Sequence, residues 1–458
     1  MTDTTTGIAV TTDTVLALLK AKPRSARDTV LRTARDSQHK LAGTLLSLWA
    51  AAGEELTVDQ AAELRLAQER IEHYRRLWEQ LQEHAPDAFL LKGMTIAALY
   101  PPGVLRSAGD LDVICPRHDD LWACARHLAA TGWELEAFTV GPAHPGDTVS
   151  PHLGAEFRKP APDPSQDPYA VGLFTAEIVT DVHGPPRQLA RPPGSPLAAS
   201  TVALVAERWE RRFRSRDLLD LVLLLGALDE PGLRQLRADL DKAGLWPEWR
   251  EAMRGIGRLG WRPAVVLPHT RAAAVRVRLL RSVRTALRWS NPVRAAAFVA
   301  QSGIEGRGGR LAALASDVIH RRPGARRLLT AGVPLFGVPV PEVPVPEVPM
   351  PEVPMPGVPM PGKQPAARAD TASIAADGVR ADGPTDGSPD AEPVEGLQLH
   401  DVGRHLVART PLGAFLLVSG AARQEWLDEA AGPQSVPSTP SGPSSTRSSS
   451  SSSVRTGA

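Results

Sequence analysis

Residues 338–362 repeat a five-residue unit, Val-Pro-(Val/Met)-Pro-(Glu/Gly), and no other feature restricts the fold as strongly. Proline fixes φ and removes a backbone donor, so this density blocks both helix and paired sheet. The stretch is expected to be an extended, polyproline-like spacer. Residues 363–395 are rich in Ala, Asp and Gly and are expected to be disordered. The 331–395 stretch therefore separates a core-forming part from a short patterned segment at 396–430. There, Leu406-Val407-Ala408 and Ala414-Phe415-Leu416-Leu417-Val418 flank Thr410-Pro411-Leu412-Gly413 like a hairpin. A lone hairpin is too small to be stable, so it is expected to dock on something. A Ser-rich tail, 431–458, follows.

Ahead of the spacer the pattern changes period several times. Residues 1–25 read as a loose Thr-rich arm, and 26–85 as a helical lead-in. Leu41, Leu45, Leu48 and Trp49 share one helical face. Thr57 with Asp59 and Gln60 predicts a capped helix start; Leu64, Ile71, Tyr74, Trp78 and Leu81 then recur at three-or-four spacing. Residues 86–195 mix short strands with helices. Strands are predicted at 88–91, 111–115, 133–138, 152–158 and 176–183, with a helix at 119–130 and a Pro/Asp-rich excursion at 160–168. Residues 196–330 read as nearly all helical. The fold class predicted is α+β: a mixed β-sheet core with N-terminal helices and a C-terminal helical region, followed by the Pro-rich tail.

Hydrophobic residues are 42% of the chain, enough for a sizeable core, and the net charge of +1 excludes a uniformly basic nucleic-acid binder. Residues 271–327 are nevertheless basic, with thirteen arginines against Glu305 and Asp317. A solvated face, or pairing with the acidic 370–395 stretch, is the leading reading there; phosphate binding is the alternative. Two cysteines give no disulfide framework. The most apolar run, 218–228, is broken by Asp220 and is shorter than a membrane span requires. With no basic segment or long apolar core at the N-terminus, a soluble cytoplasmic protein with no membrane partner is expected.

The chemistry centres on Gly109-Asp110-Leu111-Asp112-Val113. Residues two apart on a strand point to one face, about 6.6 Å apart. Two carboxylates placed so repel each other, and a divalent cation relieves this while gaining hard oxygen ligands. A third acid on a neighbouring strand would allow the two-metal clamp of phosphoryl and nucleotidyl transfer. Asp181, in Ile178-Val179-Thr180-Asp181-Val182-His183, is the preferred candidate over Glu177. Upstream, Leu90-Leu91-Lys92-Gly93 ends a strand just before a helix, with Thr95 close behind. Free N–H groups there, with Lys92 and Arg106, suit a triphosphate.

These segments, with Leu99-Tyr100, Leu105-Arg106-Ser107-Ala108, Thr180-Asp181-Val182-His183 and Arg216-Asp217-Leu218-Leu219-Asp220-Leu221, resemble the uncharacterised nucleotidyltransferase family of the polymerase-β-like superfamily over roughly 30–260. The resemblance implies a mixed sheet, Asp110, Asp112 and Asp181 as ligands to Mg²⁺ or Mn²⁺, and transfer of a nucleoside monophosphate from an NTP. It implies a nucleotide partner and leaves the hydroxyl acceptor open: a small molecule, a protein or an RNA end. The chain departs from the wider superfamily in having Met94 after Gly93, where Gly-Ser is usual.

Competing readings stand beside these. Lys92 could snorkel at its strand end. Arg106 could pair with Asp110 or Asp112. Arg216, Asp217 and Asp220 read best as a buried ion-pair cluster. Cys115, His118, Cys124 and His127 are spaced too closely for a usual structural zinc site. A non-catalytic nucleotide-binding or interaction module, recruiting a protein partner through the Pro-rich tail, is the alternative function.

Overall fold

A computed structural model of the protein describes residues 9–22, 25–142, 151–164, 166–176, 178–179, 187–188, 194–209, 211–261, 309–321, 324–330, 333–340, 396–420 and 422–431, with short helical pieces between 272 and 300. The expectations for residues 1–8, for most of the proline repeat and the 363–395 stretch, and for 432–458 lie outside these. No helix among the described residues is long and apolar enough to cross a membrane.

Four helices lead in: α1 (Thr12–Leu18), α2 (Arg27–Arg35), α3 (Ala42–Ala51) and α4 (Val58–His84). The start of α4 is the predicted capping box, with Thr57 Oγ1 accepting from Gln60 N and Gln60 Oε1 accepting from Thr57 N. At 27 residues α4 is about 40 Å long, which lets it bridge two cores. Leu64 near its start packs in a helical core with α1–α3. Tyr74, Leu77 and Leu81 near its end lie against the sheet.

The sheet has nine strands in the order β1-β2-β5-β4-β3-β8-β11-β10-β9. These are β1 (Phe89–Leu91), β2 (Leu111–Ile114), β3 (Glu134–Gly141), β4 (His152–Lys159), β5 (Tyr169–Phe174), β8 (Leu335–Pro339), β9 (Gln398–Val402), β10 (His405–Thr410) and β11 (Gly413–Val418). Only β2 and β5 run parallel. The other pairs are antiparallel, so the sheet is mixed, as predicted. A short helix, α5 (Gly93–Ala97), follows β1, and α6 (His118–Ala130) connects β2 to β3. On α6, Leu121, Trp122, Ala125 and Leu128 are buried against Leu111 and Val113 of β2.

Most of the predicted 176–183 strand lies outside the described residues. Ile178 and Val179 of it are strand, β6 (Ile178–Val179), paired with β7 (Arg187–Gln188) in a separate ladder. The strand beside β2 is β5, in a stretch to which no element was assigned. Tyr-Ala-Val-Gly-Leu-Phe is apolar on both faces and contains a glycine, so it lacks the alternation that marks a half-exposed strand. Strands β2 and β4 flank it on either side.

Helices α7 (Pro196–Ala206), α8 (Ser215–Ala227), α9 (Glu230–Ala243) and α10 (Trp246–Arg258) share one apolar core with α1–α3. One buried ion pair ties this helical unit to the sheet. Arg106, in the lead-in to β2, donates through Nη2 to Asp220 Oδ2 of α8 at 2.8 Å and through Nε to both Asp220 oxygens at 3.1 Å. Its Nη1 donates to Gly93 O at 3.0 Å, and Tyr100 Oη donates to Asp220 Oδ1 at 2.8 Å. The two side chains are 4% and 0% exposed.

The late segment docks on this same sheet. The predicted hairpin is β10–β11, closed at Thr410 and Gly413, and β9 adds a further strand. The junction is β8, which pairs with β3 on one side and β11 on the other. Its residues Val338 and Pro339 belong to the repeat read as spacer, so the extended spacer cannot begin before Val340. Here Pro339 ends a strand, where a missing donor is tolerated. Gly337 of β8 lies under Phe138 and Phe415, whose rings are 4.8 Å apart; a Cβ there would come within 2.7 Å of Phe138. Leu397, Leu406, Phe415 and Leu417 join the core under α6. The opposite face, Leu416 and Val418, is covered by Trp426 of the helix Gln424–Ala431. Behind that helix, His320 stacks on Trp426 at 4.0 Å and lies 2.8 Å from His405 Nδ1, while His405 Nε2 is 2.8 Å from Glu429 Oε2.

Three outcomes are expected. Residues 341–395 join two strands of one sheet only three strand spacings apart, about 14 Å. Replacing them with about 12 Gly/Ser residues should leave cooperative urea unfolding intact and raise stability by about 1 kcal/mol; loss of the transition would contradict the shared sheet. Asp220→Asn should strand the buried guanidinium and cost roughly 3–5 kcal/mol in the same measurement. Burial, then His405 and Arg404, lowers the pKa of His320 to about 4. An unfolded His titrates near 6.5. The folded state therefore binds fewer protons between these values, and stability present above 6.5 is lost as pH falls toward 4, by roughly 3 kcal/mol. His320→Phe should flatten the stability–pH curve in that window.

Candidate functional site

The face of β2 opposite α6 carries Asp112 and Ile114, with Asp110 just before the strand. Registers across four strands place Leu91, Asp112, Gly172 and Glu156 in one transverse row on this face. Helix α7 covers one end of it, packing Ala199 and Ala203 on Leu91 and Ile114. The Phe174 ring closes over Gly172, where a Cβ would come within 2.5 Å of it. The same missing side chain leaves space beside Asp112, whose Oδ1 is 3.3 Å from that Cβ position. Asp112 is thus a half-buried carboxylate on an aromatic floor, and Asp110 is exposed at its rim. Tyr74 sets the approach to Asp110 by donating to Gly109 O at 2.8 Å and accepting from Ala170 N at 3.1 Å.

Lys92 faces Asp112 from the end of β1. Its backbone, at φ 57° and ψ −124°, is in a region that L residues rarely adopt. Such strain persists only where surrounding contacts impose it. The Lys92 N–H donates to Ser200 Oγ of α7 at 2.9 Å, and Arg106 holds the carbonyl of the next residue, Gly93. Nζ lies 3.5 Å from Asp112 Oδ2 and 3.4 Å from Glu207 Oε1.

The predicted residues therefore separate into groups. Asp110, Asp112, Lys92 and Gly93 come together; a Cβ on Gly93 would lie 3.6 Å from Asp110 O. Thr95 Oγ1 donates to Leu90 O at 2.9 Å and so braces the loop from inside. Arg106 is corrected: its buried guanidinium is engaged by Asp220 and Gly93 O rather than by Asp110 or Asp112. Burial works against its charge, but Asp220 outweighs this and raises its pKa. Asp181, with Thr180, Val182 and His183, lies outside the described residues. Cys115 and Cys124 are buried free thiols, and His118 Nε2 is 2.8 Å from Pro151 O.

Four further participants carry little or no sequence signal. Glu156 lies on the polar side of the β4 alternation, a signal present in 154, 156 and 158. Its pKa is raised by desolvation, then by Glu136 and Asp110, with Arg158 opposing. Its backbone is two strand spacings from Asp112, about 9.6 Å. Ser200 and Glu207 carry no local signal, since only packing brings α7 to Lys92. Lys40 flanks the rim: burial and then Arg214 and Arg216 lower its pKa, while Asp110 raises it. The loop bearing it is tied to α8 by Ser215 N donating to Gln38 O and Arg216 N to His39 O.

The donor chemistry fits a hard divalent cation in type, since two carboxylates share one face and a lysine neutralises the deeper one. Among the described residues no group of three possible ligands converges.

A family model described as an uncharacterised nucleotidyltransferase matches residues 26–254, half of the chain. The match runs from α2 to α10 and takes in Lys92, Asp110 and Asp112, while β8–β11 lie beyond it. No curated protein and no solved structure matches the chain. On that match, the chain belongs to the uncharacterised nucleotidyltransferase family of the polymerase-β-like superfamily.

Proposed function

We propose that the protein is a metal-dependent nucleotidyltransferase that moves a nucleoside monophosphate from an NTP to a hydroxyl acceptor. The observation that carries this is the half-buried Lys92–Asp112 pair, set at 3.5 Å where the strained loop after β1 meets β2. It puts a cation for phosphate and an anion for metal side by side. Asp110 and Asp112 would hold Mg²⁺ or Mn²⁺, and Asp181, carried over from the family resemblance, would complete the ligand set. Bound metal would neutralise the triphosphate and stabilise charge developing on the attacking and leaving oxygens. Lys92, with the Gly93 loop braced by Thr95, would orient the phosphates. Asp181 would help take the acceptor proton. Arg106 acts behind the loop, through Gly93, rather than on the nucleotide.

A non-catalytic nucleotide-binding role has one observation in its favour, that Lys92 already neutralises Asp112. The two readings separate on turnover. Asp112→Asn, and separately Asp110→Asn, should abolish Mg²⁺-dependent transfer of label from α-labelled NTP while leaving the thermal melt and circular dichroism unchanged. Wild-type labelling by the folded variants sinks the two-metal reading. NTP binding without any transfer by the wild type favours the non-catalytic one.

A further inference from the structure

Two contacts on Lys92, one on its backbone and one on its side chain, come from the same stretch of chain. Ser200 accepts the N–H, and Glu207, in the 3₁₀ turn that ends α7, lies against the ammonium. They are seven residues apart, about two helical turns, so one side of this element supports both. The ammonium stands almost equidistant from Glu207 (3.4 Å) and Asp112 (3.5 Å). Glu207 is engaged from its other side by Arg211, which also pairs with Asp217 of α8. Asp112, Lys92, Glu207, Arg211 and Asp217 thus form a row of alternating charge. With side-chain exposures of 1–24% along it, bulk salt screens the row weakly.

A divalent cation at Asp112 would repel the Lys92 ammonium and end its hold on that carboxylate. A second carboxylate already in place keeps the displaced charge paired, and Glu207 is one. We propose that Glu207 is a positioning residue of the transfer site: it retains Lys92 when Asp112 takes up a divalent cation and keeps the ammonium where the nucleotide's phosphates arrive. This rests on the metal and nucleotide reading above. Without Glu207, Lys92 loses one of its two flanking carboxylates and is drawn toward Asp112, where it competes with the cation.

The test is Mn²⁺ binding to the full chain without nucleotide, followed by electron paramagnetic resonance and calorimetry. Glu207→Gln should weaken binding about tenfold, or about 1.4 kcal/mol, and Glu207→Asp should restore most of it. In a Lys92→Met background the same Glu207→Gln change should move binding less than about twofold, the mark of coupling through Lys92. An equal effect in both backgrounds, or none in either, overturns the role of Glu207. Asp112→Asn is measured alongside. If it leaves Mn²⁺ binding unchanged, the metal reading itself fails and the proposal with it. If Asp112→Asn abolishes binding while Glu207→Gln acts independently of Lys92, only the proposal fails.

Discussion

The buried pair of Arg106 and Asp220 is the contact on which the arrangement of sheet, loop and helices depends. A guanidinium removed from water must have its donors met, and here both carboxylate oxygens of Asp220 and the carbonyl of Gly93 meet them. Those acceptors belong to α8 and to the loop after β1, which are far apart in sequence. Only one placement of the helical unit against the sheet satisfies all of them. A hydrophobic contact at this point would tolerate sliding, whereas a charge with fixed acceptors does not. Arg216, beside it, donates to Ser107 O and extends the same constraint to the approach to β2.

With the loop fixed from behind, the strain at Lys92 can be sustained. Pairing of Leu91 with Asp112, the Ser200 hydroxyl and the Gly93 carbonyl bond each restrict a different part of the turn. The carboxylate side is set just as firmly, because Tyr74 of α4 bridges Gly109 and Ala170. The contacts that fix Lys92 and the approach to Asp112 therefore come from α4, β1, β2, β5 and α7, and no two of these are consecutive except α4 and β1. Precise placement comes from backbone hydrogen bonds to buried side chains, with the functional groups left half exposed.

How much of this the residues foretold varied with the range of the interactions. Local signals were legible: the Thr57–Gln60 cap, the Asp-x-Asp alternation and the Thr410–Gly413 turn each depend on neighbours within a few positions. The Lys92–Asp112 encounter was legible as a cluster of suited residues, though not as a measured pair. Arg106 was misplaced because its partner is 114 residues away and becomes an acceptor only once α8 is packed. Strand β5 shows no alternation because apolar residues or glycine occupy both of its faces. Strand β8 was hidden by lying against the proline repeat, whose composition dominates its surroundings. Glu207 and Ser200 are ordinary residues on an apolar helix until the fold brings them to the loop.

The pairing of β8 with β3 has a consequence for how the chain is made. β3 is translated about two hundred residues before its partner (Phe138 pairs with Gly337), and β9–β11 follow only after residues 341–395. During synthesis the β3 edge, with Phe138 and Val140, stands open for the time needed to add those residues, a template for unwanted strands. Folding of the sheet is therefore expected to be slow and of high contact order, with completion deferred until the final strands leave the ribosome. Chains stalled or cut after the α10 helix would keep the loop and carboxylates of the site yet present an unpaired edge. Their fate would be decided by aggregation before chemistry.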